Sequence, residues 1–342
     1  MDRPRRDLTA VFDGHNDALG RLQGAGDRAE RFLGEIPERQ LDLPRARAGG
    51  LGGGLFAINA PSEMDGDHGG PLDRGEASAF TLAALGRAHG IAAAAGGAVR
   101  VAVDAGELDR CRDDGALAMV LHLEGAEAID TDLAALDAWY AAGVRSLGLV
   151  WSRPSAFGHG VPFRFPSSSD VGPGLTEAGR ALVRRCAQLG VAIDVSHLNA
   201  AGFADVVRIG AGPIVASHCG CHALCAASRN LTDDQLREVA RSYGIVGIVF
   251  TPMFVRADGR DDPDTPIATI VAHVRHGIGV AGVEHVGLGS DFDGAPMPNE
   301  LPDTAALPRL LDALRDAGLS AAEVELIAWG NWRRVLALAW GR

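Results

Sequence analysis

Lysine is absent from the 342 residues, so all 32 basic side chains are arginine. That absence excludes a phosphate-loop lysine, a Schiff-base aldolase, a pyridoxal-phosphate enzyme and a metal pair bridged by a carbamylated lysine, since each needs a titratable amine. Aromatic residues are only 5% of the chain, and basic residues are outnumbered by acidic ones, 44 to 32, for a net charge of −12. A nucleic-acid or anionic-membrane footprint is therefore not expected. No run approaches the ~18 apolar residues of a membrane span. The opening MDRPRRDLTAVFDGHND passes from charge into an apparent strand without a hydrophobic leader, which reads as cytoplasmic. Cysteines are few, five in all, with three in Cys219-Gly-Cys221-His222-x-x-Cys225. That spacing matches no standard zinc pairing, and small buried or half-buried thiols fit it better.

Glycine, at 45 residues, is plentiful, and 47% of the chain is apolar. Eight short β-branched or apolar runs recur: Thr9–Asp13, Gly54–Ile58, Ala118–Leu123, Arg145–Trp151, Val191–Val195, Pro213–Ala216, Ile245–Phe250 and Val286–Leu288. Helical spacing falls between them, over Leu133–Ala142, Thr176–Leu189 and Ala268–His276. Capping boxes are expected at Thr232-Asp-Asp-Gln235 and Ser320-Ala-Ala-Glu323. Alternating strands and helices imply a parallel sheet with helical crossovers, and eight repeats imply a single (β/α)8 barrel over 1–342. Such a barrel needs ~250 residues, which leaves room for insertions at 61–97 and 153–174.

Ionisable residues gather at the predicted C-terminal strand ends, where barrel enzymes build active sites. His15 and Asp17 follow strand one, two apart and so pointing the same way. Glu124 ends strand three, His197 strand five, His218 strand six, and Asp291 and Asp293 strand eight. Three histidines with an aspartate and a glutamate suit a pair of zinc-class ions, and without lysine the bridge must be a carboxylate, for which Glu124 is the candidate. His89, His273, His276 and His285 read as surface residues without a role. His122 and His222 read as neighbours of the site rather than ligands.

Taken together, Asp13-Gly-His-Asn-Asp17, Glu124-Gly125, Gly174-Leu-Thr176, Gly190-Val-Ala-Ile-Asp-Val-Ser-His197, Ser217-His218, Ser228-Arg-Asn230 with Asp233-Asp234, and Gly289-Ser-Asp-Phe-Asp-Gly294 resemble the membrane (renal) dipeptidase family of zinc peptidases. The resemblance implies two zinc ions. His15, Asp17 and Glu124 would hold one, and Glu124, His197 and His218 the other, with a bridging hydroxide attacking the peptide carbonyl. It further implies that Arg229 binds the substrate's terminal carboxylate and that Asp291 handles the catalytic proton and the free amine. An ion pair of Arg229 with Asp233 or Asp234 is the plain alternative. Two departures stand out: Trp151 occupies the position of a histidine that stabilises the tetrahedral intermediate, and Phe250-Thr-Pro252 replaces an aromatic contact. His159, eight residues beyond Trp151, is a candidate replacement donor. The expected substrate is a small dipeptide-like molecule. A lactone, cyclic amide or capped metabolite, and a non-catalytic member of the fold, are competing readings, and a homodimer is left open.

Overall fold

The computed structural model describes residues 8–22 and 29–341. The charged opening at 1–7, on which the reading of the N-terminus partly rested, lies outside the described residues. Eight parallel strands close on themselves: β1 (Val11–Asn16), β2 (Leu51–Ile58), β3 (Leu117–Glu124), β4 (Val144–Gly148), β5 (Ala192–Asp194), β6 (Ile214–Cys219), β7 (Ile245–Ile248) and β8 (Val286–Leu288). Each pairs with the next, and β8 returns to β1 through Asp13 and Leu288. Helices cross between them, so the molecule is the expected (β/α)8 barrel. A ninth strand, Val99–Val101, lines up against the first residues of β3. The sequence reading passed over it because three residues carry too little periodicity.

Strand β3 shows how the pattern Leu-Ala-Met-Val-Leu-His-Leu-Glu builds both faces. Leu117, Met119, Leu121 and Leu123 point outward into the layer shared with the helices. Ala118 and Val120 point inward, joining Phe12, Leu55, Val215 and Ile245 in a separate core against Trp329 and Trp332. Period-two alternation then carries His122 and Glu124 inward as well.

Helix starts follow the local chemistry. Thr176 caps Glu177–Leu189, and the boxes at Thr232 and Ser320 are both formed. The insertion after β2 makes a small antiparallel hairpin, Met64–Asp65 with His68–Gly69, and then the long helix Arg74–Ala94. The insertion after β4 is irregular, tied by bridges of Pro154 to His159 and of Gly160 to Leu198. The two insertions meet. The Gly69 N–H donates to Ser152 O at 2.8 Å, and a Cβ on Gly69 would come within 2.6 Å of the Trp151 ring.

One histidine departs from its expected place. His273, read as a surface residue, is 1% exposed. It lies on the face of Ile267–Ala281 that also buries Ile270, Val271 and Val274. Its Nδ1 accepts from the Cys221 N–H and its Nε2 donates to Val255 O, both at 2.9 Å. All five cysteines are buried and unpaired, and among the described residues none joins a metal-type cluster.

Candidate metal centre

His15, Asp17, Glu124, His197, His218 and Asp291 converge on one point at the C-terminal mouth of the barrel. Their ligand atoms fall into three sets, each within 4.8 Å: His15, Asp17 and Glu124; Glu124, His197 and His218; His15, His218 and Asp291. Glu124 Oε1 is central, 2.9 Å from His197 Nε2 and 3.6 Å from both His15 Nε2 and His218 Nε2. His15 Nε2 lies 3.4 Å from Asp17 Oδ2, and the His15 and His218 rings stack at 3.8 Å.

Two strand irregularities deliver the histidines. Between β6 and β7, Ala216 faces Val246 but Cys219 already faces Ile248, so β6 carries an extra residue at Ser217-His218. Between β1 and β2, Asp13 faces Gly54 while Asn16 faces Phe56, an extra residue at Gly14-His15. A bulge of this kind re-aims the following side chain. It turns His15 and His218 inward where plain alternation from Phe12 and Val215 would turn them out. His197 and Asp291 are turned by the backbone itself, at φ 67° in each case, a left-handed conformation that non-glycine residues rarely adopt.

Buried hydrogen bonds fix the rings. Ser152 Oγ lies 2.7 Å from His197 Nδ1, and Ser217 Oγ 2.9 Å from His218 Nδ1 while donating to Asp194 Oδ2 at 2.6 Å. Both histidines are thereby left with Nε2 facing Glu124, the arrangement in which an outer partner sets the tautomer of a metal-binding imidazole. Asp13 plays a comparable part under β1, accepting from Ser290 N, Ser290 Oγ and His15 N. His122, anchored to Ser146 Oγ at 3.0 Å, packs edge-on to His15 without entering any of the three sets. The orienting roles of Ser146, Ser152, Asp194 and Ser217 were not read from the sequence, because a serine or aspartate in a strand or in the loop after it carries no spacing signal of its own.

The donor set fits divalent cations. His15 Nε2 is fully buried and has no hydrogen-bond partner despite two carboxylates nearby. Burial pushes the Glu124 and Asp291 carboxyls up, Asp291 to about 7, although the nearby His15 and Arg229 pull both down. Burial holds the His197 and His218 imidazolium forms well below their ordinary range. For His15 burial acts the same way but is outweighed by Glu124 and Asp17, which raise it. Imidazole nitrogens and carboxylate oxygens gathered within 4.8 Å of one another are the donor types that borderline divalent ions take.

A cleft of about 470 Å³ opens over the cluster. Arg229 lines it, 4% exposed, with Nη2 donating to His218 O at 3.0 Å, Nη1 to Cys219 Sγ at 3.5 Å, and Nε unpartnered. Asp233 pairs with His276 and Asp234 with Arg237, so the alternative ion pair for Arg229 is not made. Trp151 forms a wall of the cleft, 5.8 Å from the His197 ring and edge-on to Phe163. His159 does not line the cleft. A Cβ on Gly172 would lie 3.2 Å from its ring, and its carbonyl accepts from Asn199 N. Arg153, buried and bonded to Glu127, Ser62 and Ala60, lines the cleft and was not singled out in the sequence.

Residues 6–339 match the model of the membrane dipeptidase family, peptidase family M19. The "Uncharacterized protein in pqqA 5'region" of Klebsiella pneumoniae is 48% identical over 71% of this chain and 90% of its own length. A metallopeptidase from Rhodobacter sphaeroides, solved with a phosphinate mimic of the dipeptide L-Ala-D-Ala, superposes with a TM-score of 0.95 at 41% identity, covering 98% of this chain and 100% of that one. A dipeptidase described as an M19 metallopeptidase superposes equally well, with a TM-score of 0.95 at 43% identity over 98% of this chain and 100% of its own. On the family match and these relatives, the chain belongs to the membrane dipeptidase family of metallopeptidases.

Proposed function

We propose that the protein is a binuclear zinc dipeptidase in which His15, Asp17 and Glu124 hold one ion, and Glu124, His197 and His218 the other. The carrying observation is Arg229, a buried guanidinium that shares the cleft with the donor cluster and has no carboxylate partner among the described residues. A buried cation without a counter-charge is costly, and a substrate carboxylate would offset that cost with a two-pronged contact. A free carboxylate close to the scissile amide is what separates a dipeptide from a lactone or a capped amide. The dipeptide mimic bound by the Rhodobacter sphaeroides relative supports the same substrate class. Two zinc ions in place would activate a water and polarise the peptide carbonyl. Asp291 would receive the proton and hand it to the leaving amine, a role supported by its grouping with His15 and His218 and by a hydrogen bond from Thr251 Oγ1 at 3.3 Å.

The indole wall at Trp151 favours one competing reading, hydrolysis of a lactone or capped amide at the same centre. Elemental analysis and a substrate panel, including dipeptides with a C-terminal D-residue, separate the two. Zinc-supplemented protein is expected to hold two zinc ions per chain and to cleave dipeptides. Arg229→Ala should raise KM for dipeptides roughly tenfold or more, since hydrogen bonds to charged groups contribute ~1.5–3 kcal/mol, and leave any lactone turnover unchanged. Absence of stoichiometric transition metal, or an unchanged KM for dipeptides, would overturn the reading.

A further inference from the structure

Asn59 lines the cleft with a side-chain amide whose oxygen no described residue uses. It follows β2 directly, lines the cleft, and its Oδ1 is buried without a hydrogen-bond partner. Its neighbours on that wall are either apolar or already engaged. Ala60, Pro61 and Met64 are apolar. Ser62 Oγ accepts from Arg153 Nη1 at 2.8 Å, and the other Arg153 donors go to Glu127 Oε1 and Ala60 O. That oxygen is shielded from the cleft, and rotating the terminal amide about its soft χ2 torsion turns it to face a ligand donor, which removes the cost of leaving it unpaired.

Its place in the ring says which part of a substrate it meets. Arg229 is bonded to His218 O and Cys219 Sγ at the end of β6, and Asn59 stands at the end of β2. Three strands separate β2 from β6 in either direction around the barrel, so the two residues face each other across the mouth. Ile58 pairs with Leu123, which sets Asn59 beside Glu124 in the next register position. A dipeptide whose carboxylate lies on Arg229 and whose amide lies over Glu124 therefore extends its first residue toward Asn59.

We propose that Asn59 is a specificity-determining residue for the N-terminal side chain, selecting short side chains that carry a hydroxyl or carboxamide over apolar ones of the same shape. This rests on the dipeptidase reading above. A primary amide offers a donor and an acceptor together, so it matches a serine, threonine, asparagine or glutamine side chain, whereas an apolar side chain leaves Oδ1 unpaired.

The test compares kcat/KM for matched pairs, L-Thr-L-Ala against L-Val-L-Ala and L-Asn-L-Ala against L-Leu-L-Ala, in the zinc-loaded wild type and Asn59→Leu, with zinc content measured in both. The polar member should be preferred in the wild type, and the variant should lower that preference by roughly tenfold with two zinc ions retained. Equal preference in the two proteins, or an equal fall for all four substrates, would overturn the assignment while leaving the dipeptidase intact. An equal fall would mean that Asn59 touches the shared backbone. Absence of hydrolysis of all four by zinc-loaded wild type would overturn the assignment together with the dipeptidase reading. Asn59→Ser, whose hydroxyl still offers a donor and an acceptor, should restore part of the preference, and its failure to do so in a folded, zinc-loaded protein counts against the proposal.

Discussion

Glu124 faces three imidazole nitrogens at once, and only a side chain with two anionic oxygens can serve two cations from there. Glu124→Gln is expected to lose zinc from both sites and Glu124→Asp to retain more, as read by elemental analysis. An undiminished zinc content in the Gln variant would place the bridge elsewhere. Asp291 tests the proton path. Asparagine tolerates its φ of 67° and nearly matches its shape, so Asp291→Asn should fold and keep its metal while kcat falls roughly 10²–10⁴-fold, the usual worth of general acid–base catalysis. A change within about threefold would make Asp291 a turn residue only. Among the described residues the Trp151 indole makes ring contacts and no hydrogen bond, and a donor aimed at a developing oxyanion is commonly worth ~2.7–4 kcal/mol. Trp151→His should therefore raise kcat on small unbranched dipeptides. His159→Ala should leave kcat unchanged, because that ring rests against Gly172 rather than the cleft.

At the scale of the strand, the bulges in β1 and β6 need room that only glycine leaves. A Cβ at Gly14 would lie 2.3 Å from the Trp332 ring and 2.4 Å from Ser217 O, and Cβ atoms at Gly247 and Gly289 would fall at 2.1 and 1.9 Å from that same carbonyl. The obstruction is largely backbone and cannot swing away. Gly14→Ala should cost at least ~1–3 kcal/mol, the range for overpacked cores, and lower zinc occupancy with it; a urea midpoint equal to wild type would show that β1 can shift. At the helix, His273 is held neutral between the Cys221 N–H and Val255 O, with His276 nearby, and burial lowers it from 6.5 to about 4. A depressed histidine stabilises the fold above its unfolded value and loses that contribution as pH falls from 6.5 toward 4. The fall in stability from pH 7 to 4.5 should shrink by on the order of 2–3 kcal/mol in His273→Gln, which can keep a neutral donor and acceptor. Parallel pH dependence of the two proteins would refute this.

For the whole molecule, the candidate metal cluster draws on the ends of β1, β3, β5, β6 and β8, so an ion bound there would link metal binding to barrel stability. Zinc at 100 times its Kd would add ~2.7 kcal/mol per site by mass action, and chelation should therefore lower Tm by several degrees, reversibly on adding zinc back. An unchanged Tm after verified zinc removal would mean that zinc has no preference for the folded state, and would count against a metal centre in the barrel mouth. The eight strands were legible in the chain because their apolar runs alternate with helical periodicity, and His15, Asp17, Glu124, His197, His218 and Asp291 were legible because each follows such a run. That order of residues determined the barrel, since parallel strands with helical crossovers have few other ways to close. It also determined which end carries the ionisable groups. Tertiary structure alone decided the rest. The bulges that turn His15 and His218 inward arise from pairing with β2 and β7, so no local pattern encodes them. The serines that orient the rings, the burial of His273 and the distance of His159 from the cleft depend on contacts between segments far apart in sequence. Asn59 and Arg229 face each other for the same reason: their separation is set by the closure of the ring, a property that no stretch of chain possesses by itself.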